Sequence, residues 1–517
     1  MRRNSLRRFG LPVALLAAGL ALRLWFFFRH ALIQNDSNLY AEIAQNWIEN
    51  HTYGFYTDTD FIRPTLIRLP GYPIFLVVCY KLFGHWFGET SFTPALMLQI
   101  ALDLLGAVLL ALTVRNVFRE RVEGGEGGHL PRRAFLLALA LGCLCPFTAN
   151  YTATPLAEPL VLFTISLALY AFERWSFVFR TSGVSFNRYL YLLSAALAYG
   201  ILLRPDQALL GAALLPAVLW TALHGEIPPE PVSPLKQPVI LANALESRLA
   251  RRLRILPRRL PRPTRSALAP AFVALALTLL PLVPWTVRNY RTFHVFQPIA
   301  PHYATDPGEP IDYGFQRWYR SWAVDFASTE QFYWKYPDEP LDIAQLPDRA
   351  FDSDDQYDRT ADLITDSNNA PHFHAEIDAR FQQLAAERIH ADPVRYYVAL
   401  PVARLLNMLF HPRTEMFPYD LIWWKYGWHP QTTLISWWFA LLNLAFFVAA
   451  ALALRRARSL APGLVNACLA FIVLRCLLLL TMDNSEQRYT IEFYPILILL
   501  IPFLLLPRTV GMVKATE

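Results

Sequence analysis

What most constrains this chain is a series of long, almost uncharged apolar runs, at about 93–114, 134–150, 155–172, 188–203, 207–223, 267–287, 433–453, 461–480 and 492–507. Each is near the roughly 20 residues a helix needs to cross a bilayer, where every backbone polar group must be satisfied within the segment itself. A further run at 9–28 follows Arg2, Arg3, Arg7 and Arg8. It ends in Trp25-Phe26-Phe27-Phe28 where a secretory signal would carry small residues for cleavage, so it reads as a retained first helix and brings the expected spans to ten. Only 17% of residues are charged, against roughly 25% in a soluble domain, which excludes a purely soluble enzyme and a disordered chain. The expected fold class is an all-α polytopic membrane protein. Cys79, Cys143, Cys145, Cys468 and Cys476 lie in apolar stretches with neither disulfide-framework nor zinc spacing, and read as small core residues.

Charge placement orients the spans. The basic N-terminal flank puts residue 1 inside and the segment after Arg29 outside. With ten spans the loops 115–133, 173–188, 455–458 and 508–514 fall on the inner side, together with 224–266, which carries nine Lys or Arg and three acids. The long outer loop 288–395 carries nineteen acids and ten Lys or Arg. Two apolar stretches, 71–84 and 394–410, fit as interfacial helices on the outer surface rather than as spans. Three parts follow: 1–287, a transmembrane module containing the first outer loop 29–92; 288–432, an outer region with an interfacial helix; and 433–517, C-terminal transmembrane helices. No fixed-period repeat occurs. Gly124-Gly125-Glu126-Gly127-Gly128 reads as an inside turn, and the Pro- and Arg-rich 228–265 stretch as a segment lying on anionic headgroups or a solvated loop that serves orientation.

Polar groups concentrate at the outer ends of the spans. Asp36 opens a segment in which Leu39, Tyr40, Ile43, Ala44 and Trp47 recur at helical spacing. It reads either as the N-cap of that helix or as a carboxylate at the water–lipid boundary, placed to take a proton from a hydroxyl. Arg63-Pro64 and Arg68-Leu69-Pro70-Gly71-Tyr72-Pro73 follow, the prolines and glycine forming a rigid turn that aims the arginines. Glu158 enters an apolar helix between two prolines, where a carboxylate needs a partner. Arg204, Arg288 and Arg488 end other spans on the same face, suiting an anionic headgroup. Arg475 is a charge within a span; it lines a lipid groove or compensates another charge. Arg23 snorkels or reaches a phosphate. In the outer loop, Trp318, Tyr319, Trp322, Phe326, Phe332, Tyr333 and Trp334 suit a sugar or peptide acceptor and equally a packed cap, while Trp423-Trp424 and Tyr426 to Trp428 read as an interfacial belt. His372, His374, Glu376 and Asp378 carry a faint metal-site pattern that acidic, solvated loops share.

In these residues the chain resembles the GT-C superfamily of membrane glycosyltransferases, in particular protein O-mannosyltransferases, lipid A aminoarabinose transferases and their bacterial relatives. The resemblance is carried by Asp36-Ser37 with Tyr40 and Ala44, Pro70-Gly71-Tyr72-Pro73, Glu158, Arg204-Pro205, Pro284-Trp285 with Arg288-Asn289-Tyr290, Asp392-Pro393 with Tyr396 and Arg404, and Arg488-Tyr489 before Pro495. These motifs span about residues 20 to 500. The resemblance implies a polyprenyl-phosphate-linked sugar donor, a glycan, lipid or protein acceptor arriving from outside, and inversion at the anomeric carbon. It implies Asp36 as general base. Such enzymes often carry two adjacent acids there; here the second is Ser37, which leaves the sugar open. Glu158 is expected at the catalytic centre, Arg204, Arg288 and Arg488 on the donor phosphate, and Tyr40, Arg63, Arg68, Tyr72 and Tyr489 along the substrates. The scheme calls for no metal, no cofactor and no nucleic acid, and places the protein in a bacterial inner membrane with its site facing the periplasm. The rival is a lipid-linked sugar flippase or other transporter, for which repeated halves, broken helices and midplane charges would speak; none stands out in the sequence.

Overall fold

The computed structural model describes residues 2–57, 61–121, 129–224, 264–370, 372–425 and 429–506. The Gly-rich turn at 124–128, the basic 228–263 stretch, the belt residues 426–428 and the tail from 507 lie outside them. The protein is an all-α polytopic membrane protein. Among the described residues eight helices are long and apolar enough to cross a bilayer: Gly10–His30, Thr93–Glu120, Glu158–Ser182, Pro205–His224, Leu268–Phe293, Pro430–Leu460, Pro462–Leu479 and Gln487–Leu505.

The two remaining expected spans take other forms. The 134–150 run is divided into α5 (Leu130–Leu144) and α6 (Pro146–Tyr151), because Cys145 is extended and Pro146 has no N–H to continue the ladder. The 188–203 run is α8 (Arg188–Leu203), only 16 residues long. The last span is also broken. It runs as a 3₁₀ turn over Gln487–Phe493, an α-helix over Tyr494–Leu500 and a second 3₁₀ turn over Ile501–Leu505, with Pro495 and Pro502 at the joints. Broken elements, which the sequence did not display, are therefore part of this fold.

The helices before the break are α1 (Arg2–His30), α2 (Asn35–Glu49), α3 (Gly71–Phe87) and α4 (Thr93–Arg121); α7 (Glu158–Ser182) and α9 (Ala208–His224) follow α6 and α8. Helix α4 packs against both α5 and α7, and the broken last span is buried among the three, with Ile496 to Leu500 all inside. Helix association within lipid gains little from apolar area and depends on close approach. Small residues supply it here. A Cβ at Gly142 of α5 would stand 2.7 Å from that of Ala107 on α4.

One buried ion pair joins α1 to α4. Arg23 pairs with Asp103 and donates to the carbonyls of Gly19 at 2.9 Å and Cys143 at 2.7 Å. Arg23 thus neither snorkels nor stands free for a phosphate; a guanidinium with no surface exposure needs a counter-charge, and Asp103 is it.

Two further features complete the face bearing Asp36. Gly54–Tyr56 and Ile62–Pro64 form a short antiparallel hairpin, Phe55 opposite Arg63. The helices Tyr313–Arg320, Asp354–Asn369 and Ala375–Ala391 enclose a small core of Phe315, Trp318, Trp322, Phe381 and Leu384. Of the two readings of the loop's aromatics, most therefore take the packed cap. Asp378 belongs to it as well, accepting from the backbone N–H groups of Gly314 and Phe315 at 3.0 Å each, at the start of the Tyr313–Arg320 helix.

Candidate functional site

The site begins with the start of α2. Gln34 is the residue that caps the helix, and its backbone N–H donates to Ser37 Oγ at 3.2 Å. Asp36 stands inside the first turn with both carboxylate oxygens committed elsewhere, so the N-cap reading does not hold. Oδ1 accepts from Arg68 at 2.7 Å and Oδ2 from Arg488 at 2.6 Å. Ser37, Tyr40, Ile43 and Ala44 form the buried face that fixes α2 against α3.

Arg68 is aimed by the turn that follows it. Pro70 caps α3, and Gly71 lies so close to the end of α8 that an added Cβ would meet the Leu202 carbonyl at 2.5 Å. Tyr199 of α8 donates to the Gly71 carbonyl at 3.2 Å. The close crossing ties the Asp36–Arg68 pair to Arg204, which follows α8 directly. Tyr72 is fully buried; its hydroxyl donates to Gln99 at 2.7 Å and its ring lies 4.9 Å from that of Tyr40.

A second set of charges lies beside the first. Arg204 donates to Glu158 at 2.8 Å and to Asp206 at 3.1 Å, and lies 3.6 Å from Glu492. Arg475 pairs with Asp206 at 3.1 Å and Glu492 at 2.8 Å, which identifies it as a compensating charge. Gln207 hydrogen bonds Glu492. The sets meet at Tyr489, whose ring lies 5.4 Å from the Arg204 guanidinium and 5.8 Å from that of Arg488. The network thus draws on six separate stretches of chain.

The other expected residues lie elsewhere. Arg288 does not join the phosphate candidates. It donates to the Thr65 carbonyl at 2.6 Å and the Tyr53 carbonyl at 2.8 Å and lies over the rings of Tyr53, Trp285 and Phe293, which makes it a clasp for the loop between α2 and α3. Arg63, on the hairpin and half exposed, pairs with Glu309 at 2.5 Å. Arg404 is buried under the cap, donating to the carbonyls of Arg320 and Ala323, and burial brings its guanidinium down to about 10.

A cavity of about 530 Å³ opens against this network. Arg488 and Glu486 form one wall and Arg29, His30 and Gln34 another; Phe326, Trp334, His411, Glu415 and Tyr419 close it from the cap and the segment before the Pro430–Leu460 helix. Glu486 pairs with Arg488 through one oxygen, while Oε2 has no hydrogen-bond partner among the described residues. Glu415 accepts from the Tyr151 hydroxyl at 2.7 Å, and its Oε2 is likewise without a partner among them.

The carboxyls flanking Arg488 are driven apart. Burial raises Glu486 above its ordinary value against the pull of Arg488. Burial also acts to raise Asp36, but Arg488 and Arg68 overcome it and hold that carboxyl well below the usual range. Glu486, Glu415, Glu492 and Asp103 were not singled out in the sequence, although Glu492 and Asp103 each carry a signal, an isolated acid in an apolar run. No family model, no curated protein and no solved structure matches the chain.

Proposed function

We propose that the protein is a membrane glycosyltransferase of the GT-C type, moving a sugar from a polyprenyl-phosphate donor to a hydroxyl acceptor with inversion, on the periplasmic face of a bacterial inner membrane. The observation that carries the reading is Asp36, held between Arg68 and Arg488, the second of which lines the cavity at the span ends. In the reaction the bond from the anomeric carbon to the phosphate oxygen breaks, the acceptor oxygen bonds that carbon from the opposite face, and the acceptor proton passes to Asp36. The departing phosphate is already a good leaving group, so the barrier falls chiefly through charge stabilisation by Arg488 and Arg68, with Arg204 nearby.

A carboxylate gripped by two guanidiniums is a poor base. The lipid phosphate resolves this by competing for the same forks: as Arg68 and Arg488 turn to it, Asp36 loses both partners and its proton affinity rises toward the ordinary carboxylate value. The donor thereby readies the base. Glu158, held by Arg204, is a positioning residue in this scheme, and the free oxygens of Glu486 and Glu415 are available to acceptor hydroxyls.

The test is mass spectrometry of cell-envelope glycans and glycoproteins from a deletion strain carrying the wild-type gene or Asp36→Asn. Loss of one glycan in the deletion, restored by wild type and not by Asp36→Asn at equal protein level, is expected; full restoration by Asp36→Asn removes Asp36 as base. The broken last span, with its Glu492 paired to Arg475 of the neighbouring span, also favours a second reading, a lipid-linked sugar flippase. Sugar that crosses reconstituted vesicles still attached to its lipid would select that reading.

A further inference from the structure

At the opposite end of the spans lies a second cavity, of about 600 Å³, between α4, α7, α9 and the start of the Pro462–Leu479 helix. It is about four turns of α7 from Glu158, roughly 22 Å by helical rise, and shares no residue with the site above. Its wall is graded. Toward the membrane centre it is apolar, with Phe172, Ala213, Ala217 and Ala470; toward the surface it carries Glu120, Arg180 and His224. Three helices contribute in the same sense, so the gradient runs along the bilayer normal, as it does in a lipid.

Glu173 stands between the two zones. Its side chain lines the cavity and the residue is only 4% exposed. One carboxylate oxygen has Asn116 at 3.5 Å, the other has no N–H donor among the described residues, and the Glu120 carboxyl lies beside it. Glu120 is 3.7 Å from Arg174 and 3.8 Å from Arg180, so two acids and two arginines meet at this end. A buried carboxylate oxygen without a donor is costly, and a cation carrying N–H groups offsets that cost.

We infer that this cavity binds the headgroup of an amine-bearing membrane phospholipid, its ammonium donating to Glu173 and Glu120, its phosphate beside Arg180, and its acyl chains leaving along Ala213 and Ala217. A primary ammonium has three hydrogens to donate; a trimethylated headgroup has none, and a glycerol headgroup lacks the positive charge. The volume fits a headgroup and the first part of the chains, within the usual range for ligand sites. The site is independent of the chemistry proposed on the other face.

The experiment is native mass spectrometry of the full-length protein released from vesicles of equimolar phosphatidylethanolamine and phosphatidylglycerol, and separately from vesicles in which phosphatidylcholine replaces the former. Wild type is expected to retain one phosphatidylethanolamine. Glu173→Gln should lower that retention roughly tenfold, the scale of one charge-assisted hydrogen bond. Ala217→Trp, which fills the apolar end and leaves the carboxylates intact, should abolish it. Equal retention of phosphatidylcholine or phosphatidylglycerol by wild type, or unchanged retention in Glu173→Gln, overturns the inference. The headgroup comparison uses wild type alone and stands even if a variant fails to fold.

Discussion

At the residue scale, the function proposed for Asp36 and its arginines makes separable claims. Asp36→Asn keeps the side chain's size and removes its basicity. Sugar transfer should fall by at least about 100-fold, the lower range for losing a general base, while the variant still binds undecaprenyl phosphate; unchanged transfer would rule out the assignment. Arg488→Ala should instead weaken undecaprenyl phosphate binding by about tenfold or more, measured by titration in detergent, whereas Arg288→Ala should leave that affinity unaltered and loosen the loop between α2 and α3. His411 supplies a pH signature. Burial first, and Arg413 second, lower its imidazole to about 3, and neutral Nδ1 accepts from the Arg413 backbone N–H. The unfolded chain takes up a proton near pH 6.5 while the folded protein does not, so stability is full above that pH and declines as pH falls toward 3, by about 1.4 kcal/mol per pH unit. Melting temperatures of wild type should therefore drop more steeply between pH 7 and 5 than those of His411→Asn, which retains an acceptor; parallel curves would contradict the assignment.

At the element scale, the α3–α8 crossing and the α1–α4 ion pair are the two joints the site depends on. Gly71→Ala forces α3 away from the Leu202 carbonyl, and with it the turn that aims Arg68. A loss of about 1–3 kcal/mol is expected from such overpacking, read as a lower melting temperature with a matching loss of donor binding; a neutral effect on both would mean that the crossing does not set the geometry. Arg23→Ala strands Asp103 within the bilayer and should destabilise by about 3–5 kcal/mol, while Arg23→Ala with Asp103→Ala recovers much of it. The apolar runs made most spans legible, because bilayer thickness sets their length whatever they pack against. The breaks at Pro146 and Pro495 were less so, since hydropathy stays high through both. The helix over Asn35–Glu49 was also legible from its period, but not its cap: Asp36 is the better capping residue, and a tertiary demand for it at Arg68 and Arg488 leaves that role to Gln34.

At the scale of the whole molecule, the sequence marks Asp36, Glu158, Arg204 and Arg488 as charges on one face, yet not their pairing. Arg488 is 452 residues from Asp36, and nothing local distinguishes it from Arg288, which ends a span in the same way and is used as a clasp. Partnership in such a site is a property of packing. Sidedness is testable without knowing the substrate. Asn38→Cys should react with a membrane-impermeant maleimide on intact spheroplasts and Ser182→Cys only after lysis, both positions being exposed; the reverse pattern would place the cavity in the cytoplasm. The most direct measurement is a cryo-EM map of the protein with undecaprenyl phosphate bound. The phosphate should lie against Arg488 and Arg68, with the Asp36 carboxylate released from both and turned to the cavity. A phosphate bound elsewhere, with Asp36 still gripped by the two guanidiniums, would contradict the account.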